Sequence, residues 1–294
     1  MAKITAILPA YNEEISIGSM VLRTAPYVDQ VIVVDDGSTD KTAQIAKMAG
    51  AEVANHSTNK GKGAALKTGF NMAKDADVVV TIDADGQHYP EEIPTLIKPI
   101  LEGEADVVNG SRYINGKDEN TPRYRRVGQK VLDKASNISS GLDITDTQSG
   151  YRAFAKHTIP LFRFQDTGYG VESEMLVDAA KNDMRIVEVE IGVRYDVKSS
   201  SRHPISQGIQ VLTRIIRDVE IKKPLYYFTI PGLIIVVVGI IISLFFIRDY
   251  ITGKSITMAP TLLMIMFTLA GIFMTFTGII LDSISRLIER TINK

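Results

Sequence analysis

Two aspartates one residue apart, Asp83 and Asp85, follow an apolar run in the segment TIDADGQHYPEE, Thr81 to Glu92. Like charges that close repel unless something positive lies between them. Carboxylate oxygens are hard ligands suited to Mg2+ or Mn2+, and such ions commonly bridge one or two protein carboxylates to a substrate's phosphates. A divalent cation carrying a diphosphate therefore fits the pair. A calcium loop does not: counted from Asp83, its sixth and twelfth positions need glycine and glutamate, where this chain has His88 and Pro94. Taken alone, a pair of acids at a strand end is also compatible with a solvated turn. His88 invites reading as a ligand, but a turn histidine facing solvent fits equally well.

The elements around the pair alternate. ITAIL, VIVVD, AEVANH, VVVTID and ADVVNG are short β-branched runs, and between them lie the helical patterns ISIGSMVLRTA, KTAQIAKMAG, GAALKTGFNMAKD and PEEIPTLIKPILEG. This rhythm predicts an α/β domain, a Rossmann-like mixed and mostly parallel sheet with helices on both faces. Ligands of such sheets bind beyond the carboxyl ends of the strands. Those ends read PAYNEE, DDGSTD, DADGQ and NGSR. No GxGxxG follows the first strand, which disfavours a nicotinamide enzyme, and NKGKGAALKTG lacks the spacing of a phosphate-binding Walker loop. Lys60 and Lys62 in that stretch either touch donor phosphates or are surface lysines.

The chain has 294 residues, 45% hydrophobic content, a formal charge of -1 and no cysteine. That is ample for a core, argues against a nucleic-acid partner, and excludes disulfides and thiolate chemistry. The first residues, MAKITAILPAYNEE, show no long apolar signal region. Residues 228–247 form an uncharged stretch of twenty, which as a helix spans roughly 30 Å, the hydrocarbon thickness of a bilayer. Residues 259–281 are a second uncharged run of 23. Arg214, Arg217, Lys222 and Lys223 precede the pair, and Arg286, Arg290 and Lys294 follow it. The connecting loop holds only Arg248 and Lys254 as basic residues. The expectation is a two-span hairpin in the cell membrane with the preceding domain and both termini cytoplasmic. Residues 205–227 alternate apolar and basic positions at near-helical spacing, as a helix lying in the headgroup plane would, or an amphipathic helix on the soluble core. The expected organisation is a catalytic domain over residues 1–204, a juxtamembrane helix over 205–227 and the hairpin over 228–294.

Taken in order, PAYNEE, VIVVDDGSTD, DADGQHYPEE, GSRY and DTQSGYRAF resemble the motifs of the family-two glycosyltransferases with a GT-A fold. Within that family the chain is most similar to the polyisoprenyl-phosphate sugar synthases, of the dolichyl-phosphate mannose synthase type and its glucose and N-acetylglucosamine relatives. The resemblance covers about residues 4–204. It implies that Pro9, Tyr11, Glu13, Val34 and Asp36 hold the nucleoside, with Asp36 reading the base edge. It also implies that Asp83, Ala84 and Asp85 lie at the metal and diphosphate, that Gln87 adds a metal or phosphate contact, and that Arg112 stands near the donor phosphates. Read as residues alone, Tyr11 and Val34 equally suit core packing, and Glu13 an acid favoured at a helix start.

The implied reaction is attack by a lipid phosphate oxygen on the anomeric carbon of a nucleotide-diphosphate sugar, with inversion and with Mg2+ or Mn2+ as cofactor. Asp146 and Glu172 are the candidates for a carboxylate base. A phosphate monoester has a second pKa of about 6, so the acceptor is already largely dianionic and has little proton to lose. Asp146 is therefore expected to orient the acceptor or an arginine, or else, with Thr147, to cap a turn. The dianion needs cations, and Arg123, Arg125, Arg126, Arg194 and Arg202 are the expected acceptor-phosphate ligands, with Lys198 attracting anionic headgroups. Where the family usually has GESK, this chain has SSSR. DTQSGYRAF is similar to the stretch found in relatives that use UDP donors, and that resemblance implies a UDP-hexose or UDP-N-acetylhexosamine ahead of GDP-mannose. The alternatives are a processive polysaccharide synthase, disfavoured by the missing QxxRW, and a donor-binding membrane scaffold. A homo-oligomer is compatible with the sequence.

Overall fold

The alternating runs become the strands and helices expected of them. The computed structural model describes residues 2–114, 133–134, 136–137, 140–164, 170–194, 225–253 and 258–292. Its first half contains β1 (Ile4–Ala10), α1 (Ile17–Thr24), β2 (Gln30–Asp35), α2 (Thr42–Met48), β3 (Glu52–Asn55), α3 (Lys62–Met72), β4 (Val78–Thr81), α4 (Ile93–Leu101) and β5 (Val107–Ser111). Beyond these lie β6 (Arg152–Ala155), α5 (Val171–Lys181) and β7 (Ile186–Glu190), which the alternation did not mark.

The strands form one sheet in the order β3-β2-β1-β4-β6-β5-β7. It is mixed and mostly parallel, the exception being β6, antiparallel to both β4 and β5. That one reversal positions the site. Thr81 at the carboxyl end of β4 is in register with Arg152 at the start of β6. The DTQSG segment therefore enters the sheet beside the two aspartates, and Thr81 Oγ1 donates to the Gly150 carbonyl at 2.9 Å.

Side-chain alternation along β1 fills both faces of the sheet. Ala6, Leu8 and Ala10 join a core with Ile17 and Met20 of α1 and Ile93 and Leu96 of α4. Ile7 points the other way, into a core with Leu66 and Phe70 of α3 and Val171 and Met175 of α5. Phe70, Phe154, Phe162 and Phe164 stack in this second core with centroids 5.2 to 6.1 Å apart. Each such side chain contributes about 1.5–3 kcal/mol by leaving water, so the strand ends rest on a rigid base.

The chain divides into two units, Met1–Thr213 and Arg214–Lys294. In the second, a π-helical turn at Leu225–Thr229 leads into α6 (Ile230–Ile251), and α7 (Met258–Ile292) follows. Both helices run past the uncharged stretches, because a helix continues through polar residues that still favour it. Only 11% of the apolar window of each is buried. Leu233, Phe245, Phe273 and Phe276 are exposed, so these are not core helices of a soluble domain, and their length and composition suit membrane spans. Where α6 meets α7, small residues let the backbones close up: a Cβ on Gly232 would stand 2.8 Å from the Gly271 carbonyl, and one on Gly271 equally close to that of Gly232.

Candidate active site

The ends of β1 and β2 are knitted into one wall. Asn12, in the left-handed region at φ 56°, receives Thr39 N–H on its side-chain oxygen at 2.9 Å and donates its own N–H to Ser38 Oγ at 2.9 Å. Ser38 Oγ also bonds Asp35, and Glu13 N–H donates to Thr42 Oγ1 at 2.8 Å. Pro9 sits opposite Val34 in the sheet register, and Tyr11 and Glu13 are half-buried beside them. Val34 and Ala84 are enclosed in the two cores, so packing is what their side chains do. Asp36 accepts the N–H groups of Lys60 at 3.0 Å and Gly61 at 2.7 Å, and lies 2.6 Å from His56 Nδ1. Gly61, with φ +93°, starts α3 immediately before Lys62. Asp36 thus fixes the root of Lys62 while lining the wall.

Beside this wall lies the carboxylate cluster. Lys62 Nζ stands 2.5 Å from Asp83 Oδ1 and 2.6 Å from Glu172 Oε1. Burial disfavours the Lys62 charge, but Asp83 and Glu172 outweigh it and hold its pKa above the usual lysine range. Burial likewise works to raise Asp83, and Lys62 reverses that, holding the carboxyl well below its ordinary value. Asp85 shifts the other way, raised first by burial and then by the charge of Asp83. Its Oδ1 accepts Gln87 N–H at 3.0 Å. Asp83 rests on Gly150, where any Cβ would stand 2.5 Å from its oxygens. His88 does not face solvent as a turn histidine would. It is 5% exposed, packed at a tilt against the Tyr151 ring with centroids 5.2 Å apart, with Nε2 3.8 Å from Asp83 Oδ2.

Asp146 and Arg112 form a two-pronged ion pair, Nε to Oδ2 at 2.6 Å and Nη2 to Oδ1 at 2.8 Å, and the Arg112 N–H adds a third bond at 3.2 Å. Asp146 is 1% exposed, so it orients this arginine. Behind it Arg152, wholly enclosed, donates to Asn109 Oδ1 at 2.8 Å and to the carbonyls of Glu172 at 2.7 Å and Thr147 at 2.8 Å. Thr147 gives its N–H and hydroxyl to Asp133 at 2.9 and 2.7 Å. Burial raises Asp133 to about 6, with the Thr147 bonds opposing and the Asp146 charge adding. Arg194 lies at the same edge, its N–H on the Gln87 carbonyl at 2.8 Å. Arg123, Arg125, Arg126, Lys198 and Arg202, and residues 205–224 of the expected juxtamembrane helix, lie outside the described residues.

Sequence reading missed Arg152 and Asn109, which lie within DTQSGYRAF and NGSR but were not singled out there, and His56 and Asp133, which lie in none of the site motifs. The bond between Glu172 and Lys62 joins α5 to α3 and has no periodic signal. A divalent ion fits the cluster: Asp83 is ionised, keeps 29% of its side-chain surface and stands beside Asp85, and Glu172 Oε2 is buried without a hydrogen-bond partner among the described residues. One or two carboxylates are what Mg2+ takes from a protein, leaving its other positions to water and phosphate.

Residues 5–159 match the family model described as Glycosyl transferase family 2. The chain belongs to that family. Its relatives include the UDP-N-acetylglucosamine–dolichyl-phosphate N-acetylglucosaminyltransferase of Methanococcus voltae, 36% identical over 71% of this chain and 93% of the relative. The undecaprenyl-phosphate mannosyltransferase of Micrococcus luteus is 36% identical over 64% and 82%. Among solved structures, the glucosyl-3-phosphoglycerate synthase of Mycobacterium tuberculosis with Mn2+, UDP-glucose and phosphoglyceric acid is 28% identical, with TM-score 0.59 over 74% of this chain and 79% of that one. Family 2 membership makes the chain a glycosyltransferase with a GT-A-like fold, as the ordered motifs implied.

Proposed function

We propose that this family 2 member moves one sugar, with inversion, from a UDP-hexose or UDP-N-acetylhexosamine to a polyisoprenyl phosphate at the cytoplasmic face of the membrane. The observation that carries the reading is the Asp83–Asp85 pair at the end of β4 in a chain that also has two exposed apolar helices. A Mg2+ or Mn2+ held by Asp83 and Asp85, with Gln87 beside them, would neutralise charge growing on the departing diphosphate. The wall of Pro9, Tyr11, Glu13 and Asp36 takes the nucleoside. Arg112, aimed by Asp146, offers its guanidinium to a phosphate, and Arg194 with the arginines of 123–126 and Arg202 guides the acceptor. An acceptor already dianionic at neutral pH needs orientation more than a base. The dolichyl- and undecaprenyl-phosphate relatives support this acceptor class, and the first favours a UDP donor.

A second reading comes from the Mycobacterium tuberculosis neighbour, whose complex contains phosphoglyceric acid: a soluble phosphorylated acid as acceptor. The two are separated by incubating the detergent-solubilised full chain with a panel of UDP- and GDP-sugars and either short polyprenyl phosphate or 3-phosphoglycerate. Label entering the organic phase from a UDP-sugar is expected. Label found only in the aqueous glycosyl acid would overturn the lipid acceptor.

A further inference from the structure

We propose that Lys62 and the divalent cation compete for Asp83, so that the metal alone is held off and is admitted only together with the donor's diphosphate. The inference rests on the metal and donor reading above and adds the order in which the two enter. The ammonium lies 2.5 Å from Asp83 Oδ1. A magnesium ion ligates carboxylate oxygen at about 2.0–2.1 Å, so an ion on Asp83 would share that one carboxylate with Nζ, two cations within a few ångströms of each other.

Among the neighbouring carboxylates, Glu172 is already paired with Lys62 at 2.6 Å. Arg152 is also enclosed, and it is committed to Asn109 and to the carbonyls of Glu172 and Thr147. A nucleoside diphosphate changes the balance by bringing its own negative charge. Lys62 then has two places to go on its flexible stem: onto a phosphate, or fully onto Glu172, whose carboxyl is enclosed and has Oε2 unpartnered among the described residues. Glu172 is thus a holding site for the displaced ammonium, a role different from that of a base. The root of Lys62 is tied to the nucleoside wall through the bonds from Lys60 N–H and Gly61 N–H to Asp36, so a ligand settling against Asp36 touches the segment that carries the competing charge.

The test is Mn2+ binding to the full chain in detergent, read as free Mn2+ by electron paramagnetic resonance, with and without UDP. It is run on the wild type, on Lys62→Met, and on Lys62→Met/Glu172→Gln, which removes a carboxyl with the ammonium should the single variant fail to fold. The wild type is expected to bind Mn2+ alone at least about tenfold more weakly than with UDP, a coupling of ordinary size. Both variants are expected to bind Mn2+ alone about tenfold more tightly than the wild type and to respond less to UDP. Variants that melt like the wild type yet bind Mn2+ alone no more tightly overturn the competition. If the wild type binds no Mn2+ even with UDP present, the metal reading itself fails, which is a distinguishable result.

Discussion

The wall at the ends of β1 and β2 and the carboxylate cluster lie side by side and are built differently. The wall is held by short polar side chains and backbone groups: Asn12 to Ser38 and Thr39, Glu13 N–H to Thr42, Asp36 to Lys60 and Gly61. Such bonds fix a shape, and the carboxylate among them, Asp36, is taken up by the N–H groups of Lys60 and Gly61 and by His56. The cluster is held by ion pairs, Lys62 with Asp83 and Glu172 and Arg112 with Asp146, between elements far apart in sequence. A charged ligand can re-pair these groups without unfolding anything. In the proposed function the wall would set where the donor lies, and the cluster would respond to what arrives.

The sharpest break in this contrast is Asp83→Ala. It removes the carboxylate that both cations would share, and sugar transfer is expected to fall roughly 1000-fold, about 4 kcal/mol of transition-state stabilisation. Steady-state kinetics beside a melting curve would check it; a folded variant that keeps its activity would remove Asp83 from the chemistry. Asp146→Asn keeps one acceptor for Arg112 but loses the ionic pair. The expected fall in kcat/KM is roughly 10- to 100-fold with folding preserved, smaller than for Asp83 because the residue positions an arginine. Equal losses for the two variants would restore the general-base reading of Asp146.

Asp133 sharpens the contrast through pH. Its folded pKa of about 6 lies above the unfolded value of 3.8, so the folded state binds the extra proton between those values. Its contribution to stability is therefore fully present below about pH 4 and is lost as pH rises through 6, on the order of 3 kcal/mol. Asp133→Asn keeps the acceptor for Thr147 and cannot ionise. Its melting temperature is expected to exceed that of the wild type at pH 7.5 and to match it at pH 4; a constant difference across that range would remove Asp133 as the titrating group. The smallest effect is expected at the wall. Ser38→Ala loses the bonds to Asn12 and Asp35, at about 1 kcal/mol of stability, and KM for the donor should rise with little change in kcat. A collapse in kcat would mean that the wall takes part in the chemistry.

Much of this architecture was legible in the sequence because strand and helix periods differ and because polar residues gather at the carboxyl ends of parallel strands. β1 to β5 and the helices between them follow that rule. β6 escaped because three of its four residues lie inside the DTQSGYRAF motif and because alternation carries no information on strand direction. Arg152 reads as one more basic residue until β6 inserts it between β4 and β5. The hairpin was legible from its missing charges, but the Gly232–Gly271 approach depends on which helix faces pair. Lys62 was expected to touch donor phosphates or lie on the surface, and the structure places it between Asp83 and Glu172; a lysine joining a strand-end loop to a helix far along the chain has no spacing to betray it.

The most direct test of the central claim is transfer of label from a UDP-sugar to polyprenyl phosphate by the full chain, with Mn2+, with chelator, and with Asp85→Ala. The account predicts organic-phase product from the wild type with metal, and none with chelator or with the variant. Undiminished product from Asp85→Ala, or product that survives chelation, would contradict it.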